Sequence, residues 1–469
     1  VRSTLEATLP RHAEVTSRPP EPRRIILGVL LVMLIGGMNQ AIVAVALPRI
    51  AERLDGFDLL AWVMSAYLVA ATISGPIYGK LFDRYGVRAV LAGVLALFGA
   101  TSLACAISPT MPMLVGFRAL QGLAGGGLIA GAQAAIALSV APRDRGRYQA
   151  WISATFLLSS VLGPVLGGWL TERLSWPWVF GINLPLVVAA GAIAWRALRP
   201  LPVPGRRTPI DAIGAMLLSG GLTAVMIAIT RAGQGLPWFD LTNQGWLAAS
   251  VVMLGGYGWR EGRVPEPMLP PVLRRNRTIA IGLLIQCLAH GAMTALIVMV
   301  PLHMQLVSGL SPAAAASSLI ALSVGVPFGA FIGGRTMSAT GRYRMIQVAG
   351  GSLCCVAVLG LAFAVYAHAP QAVTLALLPL AGVGFGLQFV TGTIAIQNAT
   401  PMEHIGSAVG AVNSIRSLGG AVAIALLSTI LLELLRAGAP ELAAIDSGAD
   451  VLRALTHPEA GALRDRLQP

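Results

Sequence analysis

Three ionisable side chains stand well inside long apolar runs of the sequence: Arg118, His290 and Arg416. An ionisable group at that depth is costly, so each marks a candidate functional position. A buried arginine keeps its proton. It can hold an anionic group, or pair with a carboxylate and change partners. For Arg118 the competing reading is a side chain that snorkels to the nearer water interface. An imidazole titrates at about pH 6.5 and can relay a proton, so His290 is a candidate proton carrier; a neutral packing residue is the alternative. Uncharged polar residues lie in the same runs: Asn39, Gln40, Gln121, Gln286, Gln388 and Asn413. Gln286 is one turn from His290 and Asn413 is three residues before Arg416. Together these residues are the candidate lining of a polar cavity.

The chemistry that is missing narrows the class. The acids Asp83, Asp211, Glu172 and Glu403 all fall near the ends of apolar runs, so no carboxylate is expected at depth. There is no phosphate-binding loop, no cluster with metal-ligand spacing and no nucleophile–base arrangement. Catalytic residues, a metal and a bound cofactor are therefore not expected, and neither is an ATP-driven pump. Cys105, Cys287, Cys354 and Cys355 lie in apolar stretches and read as small packing hydrophobes.

The elements that must position these residues are membrane helices. Of 469 residues, 55% are hydrophobic and only 11% charged, against about a quarter charged in soluble domains. A spanning helix needs roughly 20 apolar residues. The runs place spans near 25–47, 60–79, 89–107, 112–139, 149–171, 178–196, 212–230, 245–259, 279–302, 313–334, 345–367, 371–397 and 406–432, with 245–259 the shortest. The chain is thus an all-α polytopic membrane protein whose main partner is the lipid bilayer. The net charge of +13 does not point to nucleic acid, because the basic residues fall in short clusters between the runs. With the N-terminus inside, 23 of the 33 Lys and Arg lie in inner segments, which predicts a cytoplasmic N-terminus in the plasma (inner) membrane. The expected organisation is a cytoplasmic tail (1–24), a six-helix bundle (25–200), two linker helices with a cytoplasmic loop (201–277), a second bundle (278–432) and an extracytoplasmic segment (433–469). An odd number of spans followed by a polar segment leads to the expectation that a fourteenth span is missing by truncation.

One internal similarity recurs at an offset of 255 residues. Gly79-Lys80-Leu81-Phe82-Asp83-Arg84-Tyr85-Gly86 closes the second span, and Gly334-Arg335-Thr336-Met337-Ser338-Ala339-Thr340-Gly341 closes the tenth. Parallel repeats of this kind are a known transporter plan. Asp83 can accept hydrogen bonds from nearby helix N-termini or arginines, and so latch the cytoplasmic side in one state; a solvated turn with topology-setting Arg84 and Arg88 is the alternative. The second copy has Ser338 and Ala339 instead, so a weaker latch is expected there. In the fifth span, Ser159, Gly163 and Gly167 recur every four residues, as do Ser160, Pro164 and Gly168. This makes a small-residue face for close helix contact, bent at Pro164.

Taken in order, these segments resemble the major facilitator superfamily. Gly79 to Arg88, with Asp83, Arg84 and Gly86, is similar to its G-x-L-x-D-R-x-G-x-[RK] loop. Arg118-Ala119-Leu120-Gln121-Gly122 resembles its R-x-x-Q-G, and Gly163-Pro164-Val165-Leu166-Gly167-Gly168 its antiporter-associated G-P-x-x-G-G. Trp176 to Pro185, with Trp178 and Asn183, resembles the W-R-W-x-F-x-x-N-x-P of fourteen-span drug:proton antiporters of the EmrB/QacA type, and reads as an outer-interface anchor. The resemblance implies two six-helix bundles plus two extra central helices, with a central cavity lined by spans one, four, nine and twelve. It also implies proton-driven export of small amphipathic compounds, with no cofactor beyond the proton gradient. The chain is expected to act as a monomer, with accessory efflux proteins as further partners. One departure matters. Where the family has a membrane-embedded Asp in L-D-x-T-I-V-x-V-A-L-P, this chain has Asn39. That keeps open a carrier with other coupling or with uptake direction, and a transport-inactive membrane sensor or partner. With only cations at depth, neutral or anionic amphiphiles are expected over dications.

Overall fold

The computed structural model describes residues 22–56, 59–142, 144–201, 211–233, 240–306, 310, 315 and 318–438. The expectations for the tail up to residue 21, and for the segment after residue 438, lie outside these. Among the described residues the chain is helical, with no strand. The helices are α1 (Pro22–Leu54), α2 (Leu60–Tyr85), α3 (Val87–Ala106), α4 (Met111–Ser139), α5 (Arg145–Arg173), the short α6 (Trp178–Gly181), α7 (Asn183–Ala197), α8 (Ala212–Gly233), α9 (Leu241–Glu261), the short α10 (Pro271–Arg275), α11 (Arg277–Leu306), α12 (Leu319–Thr340), α13 (Tyr343–Tyr366), α14 (Gln371–Asn398) and α15 (Ile405–Gly438).

Among the described residues, eleven helices, counting α6 and α7 as one span, are long and apolar enough to cross a membrane. The two remaining expected spans, 60–79 and 245–259, correspond to α2 and α9. Both are long enough to span, at 26 and 21 residues. Helix α2 packs against α4, α8 and α15, so its neighbours shelter its hydroxyls from lipid. Helix α9 extends the shortest expected run at both ends. Large apolar side chains such as Val251, Val252, Phe363 and Val356 are exposed around the bundle, as a lipid-facing surface requires.

Helices α1 to α7 form one bundle, in which α1 contacts α4, α5 and α7, and α3 contacts α4 and α7. Helices α11 to α15 form the other, with α14 contacting α11, α12 and α13. The two meet along α2–α15 and α5–α12, while α8 lies across the first of these seams, touching α2 and α15. Helices in lipid gain no hydrophobic stabilisation from each other, so close van der Waals approach holds them together.

The two copies of the repeated turn play the same two parts. Their first glycines sit in the seams: a Cβ at Gly79 would lie 2.6 Å from the Gly406 carbonyl oxygen, and one at Gly334 would collide with the Gly146 carbonyl. Their last glycines end the helices with positive φ, 81° at Gly86 and 68° at Gly341, a region that other residues enter only with strain. Both seams lie at the end of the bundle that carries Arg84, Arg88, Arg145, Arg342 and Arg344, called the basic end below.

Candidate functional site

The polar residues expected at depth separate into two clusters, one in each bundle. In the first, Arg118 of α4 is fully buried. Its Nε donates to the Val63 carbonyl at 3.2 Å and its Nη1 to Gln121 Oε1 at 2.7 Å. The guanidinium carbon lies 4.3 Å from the centre of the Tyr67 ring. Gln121 Nε2 donates to Ser102 Oγ at 2.7 Å, and Asn183 Nδ2 donates to Asn39 Oδ1 at 3.1 Å and to Ser102 Oγ at 3.3 Å. Side chains from α1, α3, α4 and α7 thus form one connected network, with Tyr67 of α2 closing it. Arg118, Gln121, Asn39 and Asn183 are all at 0% exposure, so Arg118 does not snorkel. Among the described residues the network holds no carboxylate.

Asn183 was expected in an interface anchor, together with Trp178. The tryptophan fits that role, being half exposed, but Asn183 turns inward and ties α7 to α1 and α3. The α6/α7 break one residue earlier allows this, because the chain re-enters helix at Asn183. Ser102 carried no sequence signal, since a serine in an apolar run reads as a tolerated small residue.

The second cluster sits where α11, α14 and α15 meet. Arg416 Nη2 donates to the Phe389 carbonyl at 3.1 Å and to Thr393 Oγ1 at 2.7 Å. Gln286 Nε2 converges on the same two acceptors, at 3.2 and 3.1 Å. The His290 ring packs 5.8 Å from that of Phe389, which stacks at 6.3 Å on Phe385. Arg416, Asn413 and His290 are half-buried rather than sealed. Arg416 lies eleven residues into α15, about 17 Å from the basic end at 1.5 Å per residue.

Gln40 and Gln388 join neither cluster. Gln40 is half-buried on α1. Gln388 turns to α13, donating to the Gln347 carbonyl at 3.1 Å, and lines a groove of about 550 Å³ with Ile285, Val348, Ser352 and Cys355. That groove opens sideways beside exposed Val348 and Val356. Cys355 is exposed there, contrary to the expectation that all four cysteines pack inside; a position on the outer face of α13 decides this, and apolarity alone does not reveal it.

At the basic end, Asp83 receives the backbone N–H of Gly406 at 2.7 Å, that of Ser407 at 2.9 Å and the Ser407 hydroxyl at 2.5 Å. These are the free donors of the first turn of α15, which a carboxylate satisfies and whose dipole it complements. Burial pushes the Asp83 carboxyl up to about 6, against these bonds and the charge of Lys80. Lys80, one turn earlier, pairs with Glu266 at 3.3 Å. Arg84 lies over the Tyr85 ring, and Arg88 donates to the Trp195 carbonyl at 3.0 Å. Further along the seam, Ser414 Oγ donates to the Thr72 carbonyl at 2.7 Å. The α5–α12 side has a different tie, missed in the sequence: Arg145 donates to Asn398 Oδ1 and to the Ala137 carbonyl, both at 2.7 Å. Its place in an arginine cluster made it look like a topology signal.

In α5 only one of the two small-residue rows makes close contact. A Cβ at Gly163 would collide with Ala41, and one at Gly167 would lie 2.8 Å from the Ile42 carbonyl, whereas one at Gly168 would meet nothing within 4 Å. Pro164 faces outward. The row Ser159, Gly163, Gly167 therefore seats α5 on α1.

Known proteins place this architecture. The sequence pattern of the Major Facilitator Superfamily matches residues 29–424. An MFS-type transporter of Mycobacterium tuberculosis (strain H37Rv) is 33% identical over 442 residues, 94% of this chain and 64% of that protein, so this chain spans under two thirds of that relative's length. The multidrug transporter protein MdtP of Bacillus subtilis is 29% identical over 87% of this chain and 75% of its own. Among solved structures, the human organic anion transporter MFSD10 superposes with a TM-score of 0.66 at 16% identity, covering 96% of this chain and 100% of that one. The proton:xylose symporter XylE does so at 0.62 and 14%, covering 87% and 88%. At such identities the structural likeness speaks for the fold, while the sequence match over most of the chain speaks for descent: this multi-pass membrane protein belongs to the Major Facilitator Superfamily.

Proposed function

We propose that this chain is a secondary active transporter that exports small amphipathic compounds by alternating access, driven by protons moving inward. One observation carries the reading. The two bundles interlock at the basic end through glycine backbone contacts and the Asp83 cap, while the half-buried polar cluster at Arg416 lies past that seal. Contacts made of glycine faces and a few hydrogen bonds can separate as rigid surfaces. With the N-terminus cytoplasmic in the plasma (inner) membrane, as the arginine distribution favours, the seal closes the cytoplasmic side. Relatives named as multidrug transporters and efflux pumps support export. The reading includes a fourteen-span plan of the EmrB/QacA type, bundles bounded near 25–200 and 278–432, a linker pair between them, no chemical step on the substrate, and a working monomer to which accessory efflux proteins can attach.

The test is substrate movement in proteoliposomes with and without an imposed pH gradient. Acceleration by the gradient is expected, and indifference to it removes proton antiport. A second reading, a carrier with other coupling or uptake direction, rests on Asn39, which leaves the first network without an acid. Asn39→Asp keeps the acceptor that Asn183 uses and adds a titrating group. Gain of gradient dependence in this variant alone favours the second reading for the natural chain. If the natural chain is already coupled, His290→Asn is expected to abolish the coupling; persistence makes His290 a packing residue.

A further inference from the structure

Resting on the transporter reading, we propose that Arg416 and Asn413 form the headgroup site for an anionic amphiphile, a carboxylate or sulfonate carried on an aromatic body. The geometry of Arg416 is half used. Its Nη2 is committed to Phe389 and Thr393, which fixes the guanidinium plane. Its Nε is buried with no hydrogen-bond partner, and so is Asn413 Nδ2, one turn earlier on the same helix. Two donors on one face of α15 therefore await an acceptor.

Charge makes the unpaired donors costly. Among the described residues no carboxylate pairs with Arg416. Asp83, on the neighbouring α2, is spent on the first turn of α15. Leaving a cation in a low-dielectric interior without a counter-charge costs several kcal/mol, and a ligand anion is the group that offsets this. Arg118 also keeps a buried N–H, at Nη2, without a partner, and has no carboxylate beside it, but Tyr67, Gln121 and the Val63 carbonyl enclose it at 0% exposure and leave a ligand no approach.

The surroundings specify the rest of the ligand. The Arg416 guanidinium lies 5.0 Å from the centre of the Phe389 ring, with Phe385 stacked behind and His290 beside it. A flat apolar body fits against these rings. Gln286 Oε1, buried and unpartnered, is an acceptor for a hydroxyl or N–H next to the anionic group. Position favours access from one side: Arg416 is half-buried and two residues past the Ser414–Thr72 bond of the seam, on the side away from the basic end.

Three dansyl compounds of one body separate the possibilities: dansylglycine (carboxylate plus sulfonamide N–H), dansylglycinamide (neutral) and dansylcadaverine (cationic). Binding is read by fluorescence anisotropy with the full chain in nanodiscs of neutral phosphatidylcholine, after subtracting empty discs. Dansylglycine is expected to bind about tenfold or more tighter than dansylcadaverine, a difference of roughly 1.4 kcal/mol. Arg416→Gln should erase that preference, and Arg416→Lys should keep part of it, which separates lost charge from lost fold. Equal binding of all three compounds, or an unchanged preference in Arg416→Gln, overturns the site. Charge-selective binding without movement across proteoliposomes keeps the site and removes the transport reading. Movement without charge preference does the reverse.

Discussion

The two bundles have the same packing and different chemistry. From residue 118 to 137, the sequence of buried, half-buried and exposed positions along α4 is repeated residue for residue along α14 from 378 to 397. Yet Leu378 stands where Arg118 does, and Thr393 where Gln133 does. In the first bundle the arginine is the sealed centre of a network that ties α1, α3, α4 and α7. In the second it has moved to α15, next to the seam, where it is half open. A duplicated scaffold thus supplies the glycine contacts and burial pattern twice, and each copy places its charge separately. On the proposal above, the sealed arginine serves the structure and the half-buried one serves a site.

The seams show the same contrast. The α2–α15 contact has a buried carboxylate, Asp83, on the α15 N-terminus; at the equivalent place the α5–α12 contact has Ser338, and the charged tie between the bundles on that side runs from Arg145 of α5 to Asn398 at the end of α14. If both seams must close together, Gly334→Leu is the largest blow, since a side chain there meets the backbone of Gly146. Transport should be lost and the basic end should stay open, as read by an impermeant maleimide on a cysteine at Arg335. Retained transport would mean the α5–α12 seam is dispensable.

The arginines predict effects of different size. Arg118→Ala removes two hydrogen bonds, leaves Gln121 with an unpaired acceptor and opens a cavity, for roughly 3 kcal/mol of lost stability, measured as the thermal unfolding midpoint in detergent. Arg416→Ala also gives up two hydrogen bonds and, like Arg118→Ala, relieves a charge with no carboxylate partner, but at a half-buried position it leaves less of a cavity, so the change should be smaller, about 1 kcal/mol. Equal shifts in the two variants would erase the distinction between structure and site.

The smallest effect concerns pH. Asp83 lies beyond the 60–79 span, and its carboxyl is raised to about 6 in the closed seam. When the seam opens, the group meets water and returns towards an ordinary value of about 3.9. A pKa that is higher in the closed form means the closed form binds the proton more tightly. Closure should therefore rise modestly as pH falls from above 6 towards 4. Asp83→Asn should flatten that dependence in a basic-end accessibility titration. A profile that persists in the variant assigns it to another group.

Much of the molecule was legible in its sequence. The helices could be placed because a bilayer demands long apolar runs and satisfied backbone groups. The repeated turn was visible because a seam contact and a left-handed helix end both require glycine, and these needs recur at the same spacing. The family followed from four motifs in order. Asn183, Ser102 and Arg145 were legible only as residue types: an amide after a tryptophan motif, a small residue in an apolar run, and one arginine in a cluster.

Composition and spacing by themselves determined that this protein lives in a membrane, is built twice over, and keeps cations but no acids at depth. Tertiary structure alone decided what those cations do. Arg118 and Arg416 look alike along the chain, each a single charge in an apolar helix. Which of them is walled in at 0% exposure by Tyr67 and Gln121, and which is half-buried just past the closed α2–α15 seam, depends on neighbours brought from other helices. Those neighbours set the local desolvation and hydrogen bonding, and no periodicity within one helix encodes them.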